Sequence, residues 1–215
     1  MNRPPSILIN SGFVTDANGV LTGIVIPDNV TTLENSNLNV VSYASNILSI
    51  PINQGIISTF TAYNVTNISR NVSLFNEASN LSMIRFVDLV SLAQSGSIFI
   101  ASCPSLTSVH FDSLEYITTS NTGDVFEKLN GLTTVTMSKF KQHTQSGTYG
   151  VFYKTTSLQS VQLGSDGHAV EVLGSNFFQD CTQSGLTITI YTRGGSSLVG
   201  EPWGATNATI EYEEA

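Results

Sequence analysis

Between Val125 and Leu163 one pattern occurs twice, 26 residues apart. Val125-Phe126, followed by Leu132-Thr133-Thr134-Val135-Thr136-Met137, is answered by Val151-Phe152, followed by Leu158-Gln159-Ser160-Val161-Gln162-Leu163. A fixed period of about 20–50 residues is the mark of a stacked-repeat solenoid. In such a fold each unit buries its apolar surface only against its neighbours.

The pattern extends in both directions. The first inward apolar residue of successive units falls at Leu21, Ile47, Leu81, Leu106, Leu132, Leu158 and Leu186, at intervals of 26, 34, 25, 26, 26 and 28. Six residues before the middle ones stand Val41, Phe75, Ile100, Phe126 and Phe152, all apolar. Three residues after these stand Ala44, Ala78, Cys103, Leu129 and Thr155, mostly small. The 34-residue unit carries about eight extra residues, placed near Ile52–Ala62, where solenoids put surface loops.

Each unit opens as apolar-x-x-apolar-x-apolar, for instance Leu106-Thr107-Ser108-Val109-His110-Phe111. Its last three positions alternate, which is the pattern of a half-buried strand. A second apolar pair follows a polar turn: Val65 and Ile68, Leu89 and Leu92, Leu114 and Ile117, Val170 and Val172. It reads as a second short strand or extended edge. The Phe segment then returns the chain as a short helical turn or bend. Parallel pairing of successive units predicts that Leu106, Val109, Phe111, Leu132, Val135, Met137, Leu158, Val161 and Leu163 are core. Residues 1–18 are expected to form an N-terminal tail or cap, 19–192 the repeats, and 193–215 a C-terminal cap.

The string apolar-x-x-Ile-x-Ile-Pro-x-x-Val-x-x-Ile, then Ala-Phe-x-x-Cys-x-x-Leu, is the repeat of BspA-like leucine-rich repeat proteins. The chain resembles it from Leu21 to Leu33 (with Ile24, Ile26, Pro27 and Val30), at Phe178 to Cys181 and at Cys103 to Leu106. The ending Glu201-Pro202-Trp203-Gly204-Ala205-Thr206-Asn207-Ala208-Thr209-Ile210 is similar to tails of such proteins from bacteria and their phages. The resemblance covers residues 19–213 and is specific for fold. Pro51 and Arg85 depart from its usual choices. It implies a mainly β, right-handed leucine-rich-repeat solenoid of about seven coils, with parallel strands, short helical turns and terminal caps. It further implies a non-enzymatic binding or adhesion module on a bacterial surface or encoded by a phage.

Composition narrows the partners. Only 11% of residues are charged and the net charge is −8. Nucleic acid binding needs clustered cations that displace counterions, and Lys139 and Lys141 are the nearest approach to a cluster, so nucleic acid is not expected as a partner. No run approaches the roughly 18 apolar residues of a membrane span. The first residues, Met1-Asn2-Arg3-Pro4-Pro5, lack the layout of a signal peptide. The expected setting is therefore extracellular or cell-surface after removal of an export signal, or alternatively a virion released by lysis.

Reactive residues are sparse. Cys103 and Cys181 share one repeat position three coils apart, hence about 14 Å, beyond the roughly 7 Å that a disulfide tolerates. They read as buried free thiols. His110, His143 and His168 lie in different units without metal-ligand spacing, and no nucleophile elbow or phosphate loop occurs. No catalytic residue, metal or cofactor is expected. Arg193-Gly194-Gly195-Ser196-Ser197 reads as a turn-rich loop, and Trp203, the sole tryptophan, as part of the closing cap.

The better candidate is the outward face of the repeated strand. Its fifth positions give Arg85, His110, Thr136 and Gln162; its third positions give Ser108, Thr134 and Ser160. Hydroxyls and amides at a regular spacing of about 5 Å suit a carbohydrate chain or an extended peptide on a partner surface. The alternative function is a phage structural or receptor-binding protein of tail, baseplate or capsid, which assembles through its coil ends. An enzyme is the third reading.

Overall fold

The computed structural model describes residues 13–15, 21–26, 32–34, 40–43, 50–51, 58–63, 65–68, 74–95, 98–120, 124–148 and 150–215; before residue 58 it describes strand backbones and their pairing. In chain order the strands are β1 (Phe13–Thr15), β2 (Leu21–Ile26), β3 (Thr32–Glu34), β4 (Val40–Tyr43), β5 (Ile50–Pro51), β6 (Thr59–Ala62) and β7 (Asn67–Ile68). They continue as β8 (Phe75–Asn76), β9 (Met83–Phe86), β10 (Ser91–Ser95), β11 (Ile98–Ala101), β12 (Ser108–Phe111), β13 (Tyr116–Ser120) and β14 (Asp124–Glu127). The last six are β15 (Thr134–Met137), β16 (Gln142–Gln145), β17 (Phe152–Tyr153), β18 (Ser160–Leu163), β19 (Thr187–Thr192) and β20 (Thr209–Glu214).

These strands stack as a β-solenoid of about six turns. The main sheet has the order β1-β2-β6-β9-β12-β15-β18-β19-β20, the second β16-β13-β10-β7-β3-β4-β5, and the third β17-β14-β11-β8. From β6 onward the main-sheet pairs are all parallel. Alternation explains the main sheet. In β15, Val135 and Met137 are buried while Thr134 and Thr136 are exposed, the half-buried pleat that β-branched residues favour. All nine core residues expected from the repeat are at most 3% exposed.

Three expectations are corrected. First, the return segment is a strand and not a helical turn: β8, β11, β14 and β17 pair in parallel through Phe75, Ile100, Phe126 and Phe152. Among the described residues the one helical element is a 3-10 turn, Arg193–Gly195, in the expected turn-rich loop. Each of these strands is followed at once by a residue with positive φ, where the chain turns.

Second, the long unit lies earlier than the spacing suggested. Ile24 of β2 is opposite Phe60 of β6, 36 residues on, and Phe60 is opposite Ile84, 24 residues on. Thr59–Ala62 is thus a regular strand and not an insertion. The extra chain lies between β3 and β6, where β4 turns back antiparallel on β3 and β5 on β4. Ile47 and residues 52–57 lie outside the described residues.

Third, register sets Val161 opposite Ile188, so Leu186, although buried, sits one place past the position assigned to it. Val172 is likewise not core. Its parallel bridge to Gln142 turns it outward, 45% exposed, and the neighbouring Leu173 fills the core.

Phenylalanine rings form the axis of the core. Phe60, Phe86, Phe111, Phe126, Phe152 and Phe178 touch in succession, with centroids 5.1–6.0 Å apart. Trp203 closes the last turn. It is fully buried, its carbonyl accepts from Phe178 N at 2.8 Å, and its indole donates to Val199 O at 3.0 Å.

Candidate functional site

Parallel pairing without slippage places the candidate residues in two straight columns on the main sheet. Arg85, His110, Thr136 and Gln162 are mutual register partners, and so are Ser108, Thr134 and Ser160. All seven are therefore on one outward face. The columns run further than the sequence reading took them. Thr59 and Met83 precede Ser108, Thr187 and Thr209 follow Ser160, Thr61 precedes Arg85, and Thr189 and Glu211 follow Gln162. Thr59 and Thr61 were missed because the second unit was misplaced. Thr187 and Thr189 were legible in the alternation Thr187-Ile188-Thr189-Ile190.

The longer polar side chains among the seven are already engaged. Arg85 donates from Nε (3.1 Å) and Nη2 (2.6 Å) to one oxygen of Asp112, on the adjoining coil. That hydrogen bond, then the carboxylate charge, raises the Arg85 pKa further above its ordinary value. Gln162 Nε2 donates to Gly164 O at 3.1 Å. His110 Nε2 contacts Ser108 Oγ, two residues back on the same strand.

A histidine nitrogen on a serine hydroxyl is the base–nucleophile contact of acyl-transfer enzymes. Here Asp112 is held by Arg85. β12 pairs on both sides, with β9 and β15, so its backbone N–H groups are committed to the ladder and do not form an oxyanion hole.

The pairing also shows a buried polar ladder that sequence reading missed. His143 is opposite Ile117, in the inward column of Ile68, Leu92 and Ile117, and is fully buried. Gly174 N donates to its Nδ1 at 3.3 Å, which leaves the proton on Nε2 to donate to Thr119 Oγ1 at 3.0 Å. Burial pushes its pKa down to about 3, so this histidine is neutral and structural. Cys103 and Cys181 are buried and free, as the column predicts. Their thiols donate to Ala101 O and Phe152 O, and burial raises them to about 11 and about 12, far from reactive thiolates.

Asp124, 2% exposed, has one oxygen without a partner. Desolvation first, then the Glu127 charge, raises it to about 7. Among the described residues no group of three His, Cys, Asp or Glu is placed to hold a metal ion. No helix among them is long and apolar enough to cross a membrane.

Two adjoining depressions, of about 270 and 160 Å³, lie beside the 3-10 turn Arg193–Gly195. Val170, Glu171, Thr192, Arg193 and Leu198 line the first, and Lys141 and His168 the second. Their cations face carboxylates: Lys141 pairs with Glu115 at 2.8 Å and Arg193 with Glu171 at 3.8 Å. The hollows are smaller than usual ligand sites of about 300–1,000 Å³. A scan of family models and searches of curated proteins and of solved structures found no match to this chain.

Proposed function

We propose that the protein is a non-enzymatic binding module whose main-sheet face holds carbohydrate or an extended peptide on a partner surface. The observation that carries this is the register itself: Ser108, Thr134 and Ser160 beside His110, Thr136 and Gln162, repeated strand by strand on a close-packed core. Rigid elements place groups more accurately than loops do, and a periodic face suits a ligand that itself repeats. The resemblance of the repeat to BspA-like leucine-rich repeats favours a bacterial cell-surface or extracellular setting. The phage virion reading draws instead on the outer side of β20, which no described strand pairs.

Screening the chain on glycan and extended-peptide arrays tests the proposal. Thr134→Trp with Ser160→Trp obstructs the face without touching the core. A loss of about tenfold or more in affinity is expected, since blocking a central hot spot costs upward of 1.4 kcal/mol. Arg85→Ala with His110→Ala is expected to weaken binding as well. Unchanged binding by both folded variants overturns the assignment of this face.

A further inference from the structure

We propose that the outer edge of β20 is a docking strand for an extended segment of a partner protein in which apolar and basic residues alternate, added in parallel as the next strand of the main sheet. Among the described residues β20 is the last strand of that sheet. Its inner edge is paired with β19 over six residues, Thr187↔Thr209 to Thr192↔Glu214. At the other end of the sheet the last described strand is β1, which runs antiparallel to β2. No described strand pairs with the outer side of β20, a row of backbone donors and acceptors of the kind that serves as a template for strand addition.

The two faces of β20 set what can join it. Ile210 and Tyr212 continue the inward column of Ile188 and Ile190. The isoleucines of β19 are fully buried, whereas Ile210 and Tyr212 are only half-buried, with Leu198 and Ala208 beside them at the end of the core. An added strand would cover both if its alternate residues were apolar. Glu211 and Glu213 continue the outward columns of Thr189 and Tyr191. With Glu214 they are exposed, and no described cation forms an ion pair with any of the three. Cross-strand neighbours of opposite charge attract and like charges repel. The residues that stack over Glu211 and Glu213 are therefore lysine or arginine. The same acids oppose pairing of two β20 edges in a chain whose net charge is −8, so a second copy is not the occupant.

The probe is a blocked seven-residue peptide of alternating valine and lysine, compared with its block isomer (all valines, then all lysines) and with alternating valine and glutamate. The full chain should bind the alternating lysine peptide about tenfold more tightly than either control, from two favourable cross-strand pairs and the covered apolar positions. Hydrogen exchange should slow at alternate amides of residues 209–214. Glu211→Lys with Glu213→Lys, both exposed and so compatible with the fold, should transfer the preference to the glutamate peptide. Equal binding of the block isomer would reduce the interaction to net charge and overturn the proposal. So would binding without protection of the 209–214 amides, or no binding at low salt. Dimerisation of the unmodified chain through 209–214 near neutral pH would make a second copy the occupant and equally overturn it.

Discussion

The residue after each return strand is in the left-handed region, Glu77, Ser102, Lys128 and Lys154 in turn, and so is Asp180 in the turn that follows Phe178, with φ between 51° and 59°. None is glycine, although a non-glycine residue costs about 1–2 kcal/mol there. The corner persists because the N–H of each of the first four donates across to the next coil, as from Glu77 N to Ala101 O and from Lys128 N to Tyr153 O, both at 3.0 Å. Glu77→Gly should therefore leave stability unchanged or raise it by up to about 1 kcal/mol, while Glu77→Val should lower it by about 1–2 kcal/mol. Chemical denaturation of the two variants distinguishes this from an unstrained corner, at which glycine would destabilise. One residue beyond each corner runs the small column Ala78, Cys103, Leu129, Thr155 and Cys181, every member fully buried. Thr155 Oγ1 has no hydrogen-bond partner, and an orphaned buried hydroxyl costs about 1–3 kcal/mol. Thr155→Val keeps the shape, removes the hydroxyl and should raise the urea midpoint; a fall would mean that the hydroxyl is satisfied.

At the scale of elements, two buried titratable groups oppose each other. His143 in β16 is held near pKa 3 when folded against about 6.5 unfolded. Over that window the unfolded chain binds the extra proton, so the folded state loses stability as pH falls. Asp124 in β14 is raised to about 7 against about 3.9 unfolded. Here the folded chain binds the extra proton, and stability is lost as pH rises. Each slope is at most about 1.4 kcal/mol per pH unit, and between about pH 4 and 6.5 they nearly cancel. Asp124→Asn should expose the histidine slope, with stability by urea unfolding rising about 2 kcal/mol from about pH 4.5 to 6.5. The unmodified protein should change by far less. An equal pH profile for both would mean that Asp124 is not protonated in the folded chain. The same two elements show what could be read beforehand. The main-sheet strands were legible because Val135-x-Met137 and Val161-x-Leu163 alternate against hydroxyls. His143 was not, because its column was recognised by apolar residues and histidine breaks the pattern. The two-residue strands at Phe75 and Phe152 are too short for any period to separate them from a turn. The outward face was legible as a row of positions, but not the ion pair that occupies Arg85: Asp112 lies 27 residues away, in a turn that follows another strand.

Across the whole molecule the core is one string, and its integrity passes through single side chains. Phe126 is the link between Phe111, at 6.0 Å, and Phe152, at 5.1 Å. In a solenoid, stability is close to a sum of unit terms and nearest-neighbour interfaces, so removing one ring weakens the coupling of two halves as well as one site. Phe126→Ala should cost about 3–5 kcal/mol by cavity formation. It should also separate the unfolding of the two halves. The sequence provides a reporter for this: the sole tryptophan, Trp203, is buried in the last turn and reports on the C-terminal half, whereas far-ultraviolet circular dichroism reports all strands. In the unmodified protein the two signals should trace one transition against urea, the usual test of cooperative unfolding. In Phe126→Ala the ellipticity should begin to fall at lower urea than the fluorescence, because the N-terminal coils lose their interface with the half that Trp203 closes. Coincident transitions in the variant, at whatever midpoint, would show that the three sheets carry the coupling without the aromatic string.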